Sequence, residues 1–282
     1  MTQANPSEIA GEPTQTSESG IAELQIDHGS FLAYRRRFAS GDGAKVPGIV
    51  FLGGFKSDMT GTKASTLDDF CHARGLSFLR FDYSGHGASS GDFRDGTISR
   101  WFADACAAFD RLTEGPQILV GSSMGGWIML LVALARPERI KGLVGLAPAP
   151  DFTEELIWRT LSEDDRAKML REGKLEQPSE YSEDPYVITR ALIEDGRNNL
   201  LLGAPIAIDV PVRLLHGLND RDVPHSISLR IQERLTAEDV VVQLIKDGDH
   251  RLSRPRDLTR LTAAVEELVQ LSAESSAPSP AR

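Results

Sequence analysis

The sequence predicts an α/β fold, a mostly parallel central sheet with helices on both faces, and three observations predict it. Apolar runs of strand length alternate with segments of helical period. Most of those runs are continuous, as strands covered on both faces require. A length of 282 residues with a hydrophobic fraction of 40% suits one large core.

A hairpin comes first. ELQIDHGSFLAYRRRF (23–38) alternates its side chains around a turn at Asp27–Ser30, the pattern of two antiparallel strands with one wet face. The runs that follow are predominantly apolar: GIVFLG (48–53), SFLRFDYS (77–84), QILVGS (117–122), GLVGLA (142–147), PVRLLHG (211–217) and VVVQLI (240–245). Helical segments fall between them at 63–74, 99–112, 125–135, 226–235 and 257–271. In the second of these, Phe102, Cys106, Phe109 and Leu112 recur every three to four residues, and one stripe is expected to bury against the sheet. Strand, helix, strand, helix implies parallel pairing.

One stretch breaks the rhythm. From about Asp151 to Asn199 no strand is evident, and FTEELIWRTLSEDDRAKMLREG and YVITRALIEDGR read as short charged helices. The expectation is one domain over 21–271 carrying a helical lid insertion at about 149–207, above one end of the sheet. The polar stretches 1–20 and 272–282 read as a disordered leader and tail. The leader has neither an apolar h-region nor an Arg-rich amphipathic pattern, so no targeting signal is expected and the cytoplasm is the expected location.

Charge and composition exclude other classes. A formal net charge of -10 repels a phosphate backbone, so no nucleic-acid partner is expected. No run reaches the roughly 18 apolar residues of a spanning helix, since IMLLVALA stops at Arg136-Pro137. Cys71 and Cys106 lack metal or redox spacing and read as thiols of a reducing compartment.

The chemistry starts at LVGSSMGGW (119–127), a G-x-S-x-G pattern on Gly121, Ser123 and Gly125. A small-residue pentapeptide is a weak signal alone, because glycines also serve plain turns. Its setting adds meaning: a buried strand ends at the motif and an apolar helix begins there. A serine on that sharp turn is exposed at the strand end, and the flanking glycines remove side chains that would clash with it. Ser123 is the expected nucleophile, with Ser122 as the competing one.

A serine hydroxyl needs a base, and the base needs a third group to hold its tautomer. The expected chain order is serine, then acid, then histidine. RLLHGLNDRDVP (213–224) places Asp220 in the turn after one strand, and LIKDGDHRL (244–252) places His250 after the next. All three then project at the carboxyl edge of the sheet. Asp222 is the alternative acid, while Asp249 reads as a loop residue. Among the other histidines, His28 and His72 read as surface residues and His216 as a loop-orienting hydrogen-bonder; His86 shapes the turn after the fourth strand or lines the pocket. The oxyanion donors are expected to be the backbone N–H groups of Met124 and Phe55, with Lys56 as fallback for the second. Gly53 and Gly54 are equally compatible with a plain tight turn.

Together the elbow, HGLNDRDVP and the final GDH resemble the alpha/beta-hydrolase superfamily. GGFKSDMTGTKA, RFDYSGHGASSG, GPQILVGSSMGGWIMLLVALARPERI, PSEYSED and PVRLLHGLNDRDVP resemble its mitochondrial acyl-protein (palmitoyl-protein) thioesterase and acyl-glucuronide esterase group, with the bacterial relatives of that group, over about Pro47–Leu271. The resemblance implies hydrolysis of thioesters or activated esters by Ser123, Asp220 and His250. It departs from the pattern at Gly53, where many hydrolases of the superfamily carry histidine, and no transit peptide is expected.

The expected activity is therefore that of a serine carboxylesterase or thioesterase acting on a small-molecule or protein-linked acyl substrate, with no metal and no cofactor. In the lid, Leu156, Ile157, Trp158 and Met169 are candidates for an acyl groove, and Arg159, Arg166, Lys168 and Arg171 for meeting a carboxylate. For both sets the competing reading is an ordinary amphipathic lid helix with solvated charges. The functional alternatives are an inactive binding protein on the same scaffold, or a related triad reaction such as perhydrolysis or C–C hydrolysis.

Overall fold

The computed structural model of the chain describes residues 20–27, 29–177 and 186–276. The leader up to residue 19, His28, the PSEYSED stretch and residues 277–282 lie outside the described residues.

The hairpin forms as its alternation demands. Strand β1 (Ala22–Asp27) pairs antiparallel with β2 (Ser30–Arg37). Then come β3 (Gly48–Leu52), helix α1 (Thr62–Arg74), β4 (Phe78–Phe81), α2 (Ile98–Leu112), β5 (Gln117–Ser122), α3 (Met124–Ala135) and β6 (Ile140–Leu146). After the insertion the chain continues through β9 (Val212–Gly217), α6 (Ser226–Arg234), β10 (Val240–Ile245) and α7 (Pro255–Ser276). The eight-stranded sheet has the order β1-β2-β4-β3-β5-β6-β9-β10, parallel from β4 onward.

The two-residue period of a strand splits the core into two layers. In β5, Leu119 faces α2 and α3, while Ile118 and Val120 face α1 and α7. The first layer is built around Trp101, Phe109 and Trp127, and the second around Leu67, Cys71, Leu261 and Val265. The chain runs outward in one direction from β3 to β4 and in the other from β5 to β6. The crevice between the carboxyl ends of β3 and β5 is therefore a topological switch point, where ligands bind open α/β sheets.

Several expectations need correction. The buried stripe of α2 is Ile98, Trp101, Ala105, Ala108 and Leu112 with Phe109, while Phe102 and Cys106 are only half-buried. Small alanines, easily passed over in a sequence, complete the stripe as Ala105 and Ala108. Strand β10 is a sheet edge and exposes Val241 and Leu244, so its continuous apolar run does not mark cover on both faces. Helix α7 continues to Ser276, into the stretch expected to be tail.

The insertion is not wholly helical. It contains a π-type turn at Thr153–Ile157, helix α4 (Glu163–Glu172), and helix α5 (Arg190–Gly196). Between the two helices lies an antiparallel pair of short strands, β7 (Lys174–Gln177) and β8 (Tyr186–Thr189). Leu161, Met169, Leu175, Ile188 and Ile193 form a small core of its own. Four-residue strands are too short for a two-residue period to stand out.

Candidate active site

Strand β5 ends in a turn that only this local sequence permits. Ser123 has φ 55° and ψ −119°, a conformation that L-residues rarely adopt. A Cβ on Gly125 would lie 2.1 Å from the Leu52 carbonyl oxygen, and one on Gly121 would lie 2.5 Å from that of Gly125. The glycines therefore let the elbow pack against β3. The turn is held by Ser123 N–H donating to Leu146 O (3.0 Å) and by Gly126 and Ala149 N–H groups donating to Ser123 O (2.8 and 3.0 Å). Ser123 caps α3, so the positive end of that helix stands behind its hydroxyl.

Two loops from the far side of the sheet meet it. His250 Nε2 is 3.0 Å from Ser123 Oγ, and His250 Nδ1 is 2.8 Å from Asp220 Oδ2. Asp220 Oδ1 accepts from the N–H groups of Asp222 (2.9 Å) and Val223 (2.8 Å). The acid and histidine loops touch directly: Asn219 N–H donates to Gly248 O at 2.8 Å, and a Cβ on Gly217 would collide with that carbonyl.

The Asp220 side chain is fully buried. Burial alone would push its carboxyl up. Hydrogen bonds from His216 and His250, the charge of His250 and the Val223 N–H outweigh that and hold it well below the usual carboxylate range. An ionised acid of this kind fixes the His250 tautomer with Nδ1 protonated, leaving Nε2 to accept a proton from Ser123.

The expected alternatives separate cleanly. Asp222 contributes its backbone N–H to Asp220. Ser122 is buried in β5, and His250 reaches Ser123 instead. Asp249 caps its own loop by accepting from Leu252 N–H. His72 is exposed, with Nδ1 beside Arg37, while His216 is fully buried with Nε2 3.2 Å from Asp220 Oδ2. Carboxylate and ring atoms of Asp220, Asp222 and His250 lie within 4.8 Å of one another. Asp220 and His250 already spend those atoms on each other and on Ser123, so the trio is poorly disposed to hold a metal.

The loop after β3 passes over the elbow. A Cβ on Gly54 would sit 3.4 Å from Ser123 Cβ. Phe55 and Met124, the two residues expected to supply oxyanion donors, both line the same cavity. The Lys56 N–H is not available for that role, because it donates to His86 Nε2 at 3.1 Å.

Above these groups lies a cavity of about 670 Å³. Phe55, Phe152, Leu156, Ile157 and Ile188 supply apolar wall, and Lys56, Lys63, Arg221 and Arg251 supply positive charge beside Asp58 and Asp222. Leu156 and Ile157 thus sit where the groove was expected, but Trp158 and Arg159 do not line the cavity. The Trp158 ring packs under the guanidinium groups of Arg197 (4.8 Å) and Arg166 (5.7 Å). Arg159, with a 64% exposed side chain, faces Glu154 and Glu155. Met169 is buried in the insertion's own core, Lys168 is exposed, and Arg171 pairs with Glu172. The amphipathic-helix reading of these residues is the one the packing supports.

Three of the cavity's basic residues, Lys63, Arg221 and Arg251, escaped the sequence reading. Arg221 and Arg251 each directly follow a triad member, and Lys63 opens the helix after the loop over the elbow. Adjacency to those positions was the available signal. Ile188 was hidden in an unrecognised strand.

Comparison with known proteins agrees with this geometry. The Hydrolase_4 family model, described as serine aminopeptidase, S33, matches residues 48–257. The mouse protein named mitochondrial palmitoyl-protein thioesterase ABHD10 is 39% identical over 239 residues, which is 84% of this chain and 78% of the mouse protein. Its human counterpart is 39% identical over 226 residues, 80% of this chain and 74% of that protein. Among solved structures, a hydrolase from Agrobacterium vitis has a TM-score of 0.85 at 44% identity, covering 88% of this chain and 98% of its own. Mouse alpha/beta hydrolase domain-containing protein 10 has a TM-score of 0.81 at 37% identity, covering 89% of this chain and 98% of its own. The chain belongs to the alpha/beta hydrolases of the Hydrolase_4 family and is related to the ABHD10 palmitoyl-protein thioesterases.

Proposed function

We propose that the chain is a serine hydrolase cleaving acyl esters or thioesters through an acyl-enzyme. The observation that carries this is the unbroken hydrogen-bonded chain from Asp220 through His250 to Ser123, ending on a strained elbow beneath a cavity with one apolar wall. In this mechanism His250 Nε2 takes the Ser123 proton as Oγ bonds to the acyl carbon. The Met124 and Phe55 N–H groups receive the oxyanion. Collapse breaks the C–O or C–S bond, and His250 returns the proton to the leaving group. Water then repeats the cycle and releases the acid.

The acyl chain is assigned to the wall of Phe152, Leu156, Ile157 and Ile188. The leaving group is assigned to the side of Lys63, Arg221 and Arg251, where a carboxylate or phosphate on that group would gain Coulomb energy. The same charges argue against an aminopeptidase, which must hold a substrate ammonium. Residence in a reducing compartment, the cytoplasm, is part of the proposal: Cys71 and Cys106 are unpaired, and burial pushes the Cys71 thiol up to about 12. Fractionation of the source cell tests it.

A fluorophosphonate probe on wild type and Ser123→Ala, followed by p-nitrophenyl esters and acyl thioesters of increasing length, tests the central reading. Labelling and turnover lost together in the variant are expected. A folded wild type that takes no label would leave a binding protein on a hydrolase scaffold as the better account.

A further inference from the structure

We propose that His86 is a positioning residue for the oxyanion hole: its Nε2 accepts the Lys56 N–H and so fixes the loop backbone that presents the Phe55 N–H to the substrate. The inference rests on the serine-hydrolase reading of the site.

The loop after β3 combines a few short-range hydrogen bonds with one long-range anchor. Gly53 and Gly54 carry no side chain; Ser57 Oγ and N–H both reach Gly54 O (2.7 and 3.2 Å), and further along Asp58 Oδ1 accepts from Thr60 N–H (2.7 Å). Lys56 nevertheless holds φ 56°, a left-handed conformation costing a non-glycine residue about 1–2 kcal/mol. Such a conformation persists only where the surroundings over-determine it. One contact that holds it spans thirty residues of chain, from Lys56 N–H to His86 Nε2 at 3.1 Å.

His86 is itself immobile. It is 3% exposed, with its ring edge-on to Phe93 (5.0 Å), Trp101 (5.2 Å) and Tyr83 (5.6 Å). Its Nδ1 lies 3.3 Å from Ser84 O, a carbonyl that also accepts from Trp101 Nε1 at 3.1 Å. The Phe55 ring packs on the same aromatic residues, Phe93 at 4.8 Å and Trp101 at 5.7 Å. One aromatic box therefore grips the side chain of the donor residue and the imidazole that anchors the residue after it. Asp82, from the same turn after β4, secures the far end of the loop by accepting Met59 N–H at 2.6 Å.

The chemistry of the contact is specific. A backbone N–H can only donate, so His86 Nε2 must be unprotonated and Nδ1 must carry the proton. Burial favours this neutral form, lowering the ring to about 4. An aromatic of similar size would fill the box but would not hold the peptide. An oxyanion donor is effective only where it already points at the developing charge.

The test compares His86→Gln, whose Oε1 can accept at similar reach, with His86→Leu, which cannot accept. With a neutral p-nitrophenyl ester, His86→Leu is expected to lose about ten- to a hundredfold in kcat, KM staying within about twofold, because one misdirected donor acts on the transition state. Its fluorophosphonate labelling rate should fall by the same factor, and His86→Gln should recover most of both. A folded His86→Leu with wild-type kcat overturns the inference, as does a folded His86→Gln as impaired as His86→Leu. Should His86→Leu fail to fold, the ¹⁵N-imidazole spectrum of wild type at neutral pH decides. A hydrogen-bonded, unprotonated Nε2 supports the role, and a protonated Nε2 overturns it. A wild type that neither labels nor turns over removes the hydrolase reading and this inference with it; a labelled, active wild type with indifferent variants removes this inference alone.

Discussion

His216 shares one proton between two acceptors: its Nε2 lies 3.2 Å from Asp220 Oδ2 and 2.9 Å from the Val223 carbonyl, while Ser228 Oγ sits 2.7 Å from its Nδ1. Both acceptors demand a proton on Nε2, so the Ser228 hydroxyl must donate to Nδ1. His216 thereby supplies a hydrogen bond to the buried acid that no residue of the triad provides. Replacing it with Leu, which has no donor, should cost at least about 1.5–3 kcal/mol, the range for a hydrogen bond to a charged group. The sign follows from Asp220, whose folded carboxyl is held below its ordinary 3.8. Its stabilising contribution is complete above that value and is lost as pH falls below it. Urea unfolding at pH 7 and pH 3 should show the His216→Leu deficit shrinking at the lower pH, and an equal deficit at both would refute the linkage.

The elbow predicts a trade of stability for chemistry. Ser123 occupies a backbone region that glycine enters without a Cβ penalty. Ser123→Gly should abolish turnover and raise stability by about 1 kcal/mol, toward the low end of the strain stored at such sites. Chemical denaturation measures it. A variant less stable than Ser123→Ala would mean that the turn is not strained.

Lys63 should tune substrate charge preference. Its ammonium donates to Arg251 O at 2.5 Å, and burial together with the nearby Arg251 charge lowers it to about 8. It carries charge below that pH and loses it above. Lys63→Met is expected to raise KM severalfold for esters with an anionic leaving group, with little change for neutral ones, in keeping with the Coulomb energy of a partly exposed pair. In wild type the anionic preference should decline as pH rises through about 8. Identical KM shifts for both substrates would place Lys63 outside leaving-group recognition.

His86 makes stability depend on pH in the opposite sense from a paired histidine. Its ring titrates near 4 in the fold against 6.5 when free, because burial penalises the charged form. Between those values the unfolded chain holds a proton that the fold does not, so stability rises with pH across that window. The expected span is on the order of 3 kcal/mol at about 1.4 kcal/mol per pH unit. Differential scanning calorimetry of wild type and His86→Gln should show that slope in wild type and a flatter one in the variant.

The sequence alone determined what depends on neighbouring residues. Buried runs such as QILVGS and PVRLLHG specify strands because burial on two faces requires uninterrupted apolar side chains. GSSMG between such a strand and an apolar helix specifies the elbow through the space its glycines leave. The serine, acid, histidine order then placed Ser123, Asp220 and His250 at one edge, since parallel strands all end on the same side.

Only the tertiary structure decided which residues meet across long stretches of chain. Trp158 and Arg159 suited a substrate groove by type, but their partners, Arg197, Glu154 and Glu155, turned them toward the insertion's own packing. Lys63, Arg221 and Arg251 converge on one cavity although each belongs to a different loop or helix. His86 could not be matched to Lys56 from spacing, because their contact is set by the parallel pairing of β3 and β4 and by the aromatic box between their loops. Periodicity and turn chemistry are properties of short windows; the direction of a side chain is decided by whatever the rest of the fold packs against it.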